Sequence, residues 1–141
     1  MALGYVGGKH YHVEEYVYDF AVDGGAIGNI DLSAKAGSAP LPADAVVLRV
    51  NTIVHTTLAS GGAATVSIGD LGSTARHLAL TAFDNAQFTV DAPKALSTAL
   101  PRYVSATAND QKVSISIAVA PLTAGKMSVL VEFVRPQAAL Q

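Results

Sequence analysis

Lys112-Val113-Ser114-Ile115-Ser116-Ile117-Ala118-Val119-Ala120, followed by Met127-Ser128-Val129-Leu130-Val131-Glu132-Phe133-Val134, decides the fold. In the first run Val113, Ile115, Ile117 and Val119 alternate with Ser114, Ser116, Ala118 and Ala120. In the second, Met127, Val129, Val131 and Phe133 occupy every other position. A period of two places alternate residues on opposite faces of an extended chain, so both runs predict strands with one face in a core. Thr123-Ala124-Gly125-Lys126 lies between them and predicts a tight hairpin turn.

The same reading extends upstream. Val46 to Thr57 is a strand with Val46, Leu48, Val50 and Val54 on one face and Arg49, Asn51 and His55 on the other. Ser60-Gly61-Gly62 turns it into a partner strand, Ala64 to Ile68. Tyr11 to Val22 is a strand with Tyr16, Tyr18, Phe20 and Val22 aligned. Asp23-Gly24-Gly25 closes a hairpin into Ala26 to Leu32. Ser33 to Pro42 is a loop. Thr74 to Phe83 can be drawn as a short helix or as an irregular crossover, and Gln87 to Val90 and Arg102 to Thr107 are short strands. About eight short strands rich in β-branched residues predict an all-β, single-domain antiparallel sandwich of the jelly-roll kind. The expected organisation is an N-terminal arm over residues 1–10, a sandwich over 11–135 and a tail over 136–141.

With 141 residues the chain needs no covalent staple to fold, and it has no Cys to form one. A disulfide framework, a thiolate metal site and a cysteine nucleophile are all excluded. A net charge of −2 provides no basic field for phosphates, so nucleic acid is not an expected partner. Only 14% of residues are charged while 50% are hydrophobic. An ordinary soluble domain carries about 25% charged residues. So little charge leaves apolar surface to be covered. No run reaches the ~18–20 apolar residues of a spanning helix, and aromatic residues at 6% are too few for the girdles of an outer-membrane barrel. No membrane is expected; the cover is protein.

Chemistry-bearing residues do not assemble on paper. His10 and His12 would project from one side of a strand, with Glu14 as the only further donor of the same parity. That set reads better as a solvated strand than as a metal centre. His55 and His77 stand alone. Glu14 and Glu15 face opposite sides of a strand and cannot pair across a cleft, and Asp19 and Asp23 frame a turn. No phosphate-cradling loop or nucleophile elbow exists. No catalytic residue, metal ligand or cofactor is expected, and the chain reads as no enzyme.

Small or apolar residues, Ala118, Ala120, Leu130 and Val134, occupy the outward positions of the last two strands, where Lys, Glu and Thr are usual. Either they form a second packed surface or the 74–83 crossover lies over them. With Tyr5 and Val6 of the arm and Tyr11 at its base, they make the candidate interface.

Four segments taken together carry a resemblance: Tyr18 to Gly28, Leu41 to Val47, Gly61 to Gly69 and Leu122 to Val134. They resemble small structural proteins of tailed bacteriophages, of the kind that decorate or cement the capsid. The resemblance implies a jelly-roll-like fold and dimers or trimers. It also implies the major capsid protein as partner and a place on the outer surface of the virion. A head-fibre base or tail component, and a carbohydrate-binding jelly roll, remain alternatives. The latter would need exposed aromatic platforms, and the chain has no Trp.

Overall fold

The computed structural model describes residues 11–90, 93–96 and 100–136. The expected arm, with Tyr5, Val6 and His10, and the tail beyond Pro136 lie outside them. Nine strands form two antiparallel sheets: β1 (Tyr11–Asp19), β2 (Gly28–Asp31), β3 (Val46–Ser60), β4 (Thr65–Asp70), β5 (Ser73–Ala82), β6 (Lys94–Leu96), β7 (Arg102–Tyr103), β8 (Val113–Ala118) and β9 (Leu122–Val134). One sheet runs β1-β9-β3-β6, with β7 also on β3; the other runs β2-β8-β4-β5. The chain changes sheet at β1/β2, β2/β3, β3/β4, β5/β6, β7/β8 and β8/β9. This is the jelly-roll arrangement of a sandwich.

The alternation that predicted the core places most of it correctly, although Val46 and Leu48 of β3 turn outward and Val119 is exposed. Val113, Ile115 and Ile117 of β8 face Met127, Val129, Val131 and Phe133 of β9 across the sandwich, and Tyr16, Tyr18, Val50 and Val54 join them, all buried. Each such side chain contributes roughly 1.5–3 kcal/mol on leaving water.

The connections differ from expectation. β1 stops at Asp19, whose carboxylate accepts from Ala21 N at 3.0 Å and starts a helical turn, α1 (Phe20–Asp23). Phe20 and Val22 therefore leave the strand. Asp23-Gly24-Gly25 joins different sheets, because β2 pairs with β8 rather than β1. Ser60-Gly61-Gly62 likewise carries the chain from β3 to the opposite sheet. The last two strands form no hairpin. The chain crosses between sheets at Val119, Ala120 and Pro121, and Val119 takes a left-handed conformation at φ 72°. Thr123 to Lys126 is strand, not turn. Gly125 is there because a Cβ would sit 2.9 Å from the Leu58 side chain. Segment 74–83 is neither helix nor irregular crossover but most of β5. Two register shifts displace β5 against β4, and its 73–76 backbone passes so close to Gly69 that a Cβ there would meet the Ser73 oxygen at 2.3 Å. Within Gln87–Val90 the chain forms a 3₁₀ turn (Ala86–Phe88), and strand in the 102–107 region is confined to Arg102–Tyr103.

Candidate functional site: the outward face of the five-stranded sheet

Opposite the core, the β1-β9-β3 sheet presents a broad face to solvent. In register across it lie Tyr11 with Val134, Val13 with Glu132, Glu15 with Leu130 and Val17 with Ser128. On the other flank of β9, Val46, Arg49, Asn51 and Ile53 oppose the same four β9 residues. A bulge between Val47 and Arg49 turns Leu48 outward, and Tyr103 of β7 pairs with Val46. The exposed members are large: Tyr11 is 43% exposed, Val13 53%, Leu48 37% and Tyr103 60%. Leu130 and Val134 are half-buried between them.

The charges on this face bind one another. Glu132 sits at its centre, accepting from the Tyr11 hydroxyl, from Arg49 Nη2 at 3.2 Å and from Asn51 Nδ2 at 3.4 Å. The carboxylate beside it holds the Tyr11 phenol above the usual tyrosine range. Nearby, the Ser128 hydroxyl donates to Glu15 Oε2 at 2.5 Å and lies 2.9 Å from His55 Nε2. Its single proton goes to Glu15, so Ser128 accepts from a His55 protonated at Nε2. A hydrolytic triad needs the reverse, with histidine accepting the serine proton.

This face contains three of the seven residues proposed from sequence: Tyr11, Leu130 and Val134. Ala118 and Ala120 lie elsewhere, on β8 of the other sheet and in the crossover, and Ala120 packs against the core. β5 belongs to that other sheet, so it supplies no cover for Leu130 and Val134. The same face also exposes Val13, Leu48 and Tyr103, which sequence reasoning did not single out. The first lay in plain alternation with Tyr11, whereas the bulge that turns Leu48 outward leaves no mark on the pattern. His12 stacks on Phe133, with ring centroids 5.2 Å apart, and among the described residues no group of His, Asp and Glu can hold a metal ion.

A second polar assembly is internal. Asp70 at the end of β4 accepts from Ser73 N at 2.7 Å and Arg76 Nε at 2.5 Å and lies 3.5 Å from Arg102 Nη2. Asp110 reaches Arg76 at 3.5 Å and the Ser105 hydroxyl at 2.7 Å. His77 is 1% exposed, and neither ring nitrogen has a hydrogen-bond partner. Burial, reinforced by the Arg102 and Arg76 charges, lowers its pKa to about 3. This cluster ties three loops to the end of the sandwich, and Asp70, His77 and Arg102 are closed from solvent. It is a fastening, not a reactive cleft.

The architecture and its apolar outer face define a jelly-roll sandwich with a surface suited to protein contact. Two solved structures share that fold over nearly the whole chain. One is a chain of the cyanophage Pam1 capsid asymmetric unit, with TM-score 0.62 and 24% identity, covering 96% of this chain and 92% of that one. The other is a chain of the acidic stable capsid of Helicobacter pylori bacteriophage KHP30, with TM-score 0.59 and 17% identity, covering 90% of each. No family profile and no curated protein matches the sequence.

Proposed function

We propose that this chain is a structural protein of a bacteriophage virion, and specifically a capsid decoration protein with no enzymatic role. It seats the outward face of its five-stranded sheet on the major capsid protein at the outer surface of the head, as dimers or trimers. The observation that carries this reading is the exposed apolar set Tyr11, Val13, Leu48 and Tyr103 on one sheet face. Such a contiguous patch on a charge-poor domain marks a contact surface. The full-length likeness to chains of two capsid structures supports it. Burying that face would stabilise the shell at roughly 25 cal/mol per Å² before the costs of association, and many copies acting together add avidity.

Quantitative mass spectrometry of purified particles tests the reading. Hundreds of copies per particle are expected; a dozen or fewer would move the chain to the tail, and absence would end the proposal. Leu48→Asp, at an exposed bulge where the fold makes few demands, should weaken binding to undecorated shells about tenfold or more without lowering the thermal midpoint. Unchanged binding would remove this face from the contact.

A further inference from the structure

The five sheet-edge strands in this sandwich are not equivalent. Among the described residues, β6, β7 and β2 are edges of three, two and four residues. β5 is longer, but its ladder with β4 shifts register twice, and irregularities of that kind blunt an edge. β1 is the exception. It pairs with β9 through nine matched positions, Tyr11↔Val134 to Asp19↔Lys126, with no shift, no bulge and no proline.

One end of that edge is closed from within the chain. Lys35 Nζ donates to the Val17 carbonyl at 2.6 Å, Asp19 N donates to Asp23 Oδ2 at 2.9 Å, and Lys35 and Asp23 pair at 2.8 Å. Val13 to Tyr16 has no such cover among the described residues. Within this stretch Glu14 lies on the inward side of the strand, in alternation with buried Tyr16, half-buried and with no hydrogen-bond or ion-pair partner among the described residues. A charge turned inward on an edge strand repels any incoming strand that cannot neutralise it. The same charge favours a strand that can, which makes Glu14 a selector as well as a guard.

We infer that the Val13–Tyr16 edge of β1 takes an extended segment of the shell protein as an added strand, with a Lys or Arg of that segment set against Glu14. The partner's chemistry follows from charge: β1 has no Lys or Arg, and of its acidic residues Asp19 pairs with Lys126 while Glu14 and Glu15 have no cationic partner among the described residues. Four residues make a contact about 13 Å long at ~3.3 Å per residue, enough for main-chain pairing and one selective side-chain contact. The inference rests on the decoration reading and extends it from a face to an adjoining edge.

The test uses the full chain and head shells purified without it. Glu14→Lys should bind at least tenfold more weakly than the unaltered chain. Glu14→Gln should fold normally and lose most of the salt dependence of binding, and it carries the test alone if the lysine variant does not fold. Hydrogen–deuterium exchange over Val13–Tyr16 should slow on shells. Glu14→Lys binding within twofold of the unaltered chain, or unchanged exchange in this stretch, overturns the edge contact. If Leu48→Asp fails to bind while Glu14→Lys binds normally, the face reading stands and only the edge falls. Shells that refuse the unaltered chain overturn both.

Discussion

Replacing His77 with glutamine should flatten the acid side of this protein's stability curve. The imidazole is buried beside Arg76 of β5 and Arg102 of β7, with the Asp70 carboxylate of β4 and the Asp110 carboxylate of the Ala108–Gln111 turn bound to those guanidinium groups. Protonating it would place a third cation among two carboxylates, in a site that offers neither ring nitrogen a partner. Its pKa in the folded state is therefore about 3, against an ordinary value near 6.5. The sign follows from linkage. Above pH 6.5 the ring is neutral whether the chain is folded or not, and the site costs nothing in pH terms. Below 6.5 the unfolded chain takes up a proton that the folded chain refuses, so stability falls continuously toward pH 3. At 1.36 kcal/mol per unit, the loss between pH 7 and pH 5 is about 2 kcal/mol. Urea unfolding at half-unit pH steps measures it. The unaltered chain should lose about 2 kcal/mol more than His77→Gln over that interval, while His12 and His55 contribute equally to both and cancel. Parallel curves from pH 7 to 5 would show that the site admits a proton and that this account of the cluster is wrong.

Two further outcomes follow from groups already placed. Asp70→Ala should cost about 3–5 kcal/mol in chemical denaturation, because it leaves the buried Arg102 guanidinium without its carboxylate; a loss below 1 kcal/mol would mean the cluster is solvated. Ser128 should resist sulfonyl fluoride and fluorophosphonate reagents in intact-mass measurements, since its hydroxyl is buried and its proton is committed to Glu15, and stoichiometric labelling of Ser128 would reopen the case for a hydrolase.

Which parts of the fold the sequence revealed depended on whether pattern and backbone stayed in step. β8, β9 from Met127 onward and β3 from Val50 to Val54 keep strict alternation and read correctly. β5 does not: its bulges break the period of two, so that Ala75, Leu78, Ala79 and Ala82 fall at spacings that suit a helix equally well. Glycines misled for a related reason. Gly125 looked like a turn residue, but it marks a close approach to Leu58 in the middle of a strand. Connectivity was the largest gap. Gly-rich linkers such as Ser60-Gly61-Gly62 look alike whether they close a hairpin or cross between sheets, because long-range pairing with β9 or β8, not the linker, decides. The outward sheet face was legible where alternation exposed it, at Tyr11, Leu130 and Val134, and hidden at Leu48, where one bulged residue reverses the face.

The shortage of charge also acquires a structural meaning. Of nine basic residues, at least five (Lys35, Arg49, Arg76, Arg102 and Lys126) are held in ion pairs within the chain. On the outward sheet face, Glu132 is neutralised by Arg49, while Glu15 keeps its charge and accepts a hydrogen bond from neutral Ser128. That face therefore presents shape and apolar area with one ion pair and one uncompensated carboxylate, Glu15, at its side, and contact through it should respond less to salt than contact at the edge. Glu14, at the rim of the same sheet, is a half-buried carboxylate with no ion pair among the described residues. If face and edge act together, binding to shells should divide into a less salt-sensitive part removed by Leu48→Asp and a more salt-sensitive part removed by Glu14→Gln. Such a division would explain how a protein with so few charges can still choose its partner: the face supplies the area, and the Glu14 carboxylate at the edge supplies the discrimination.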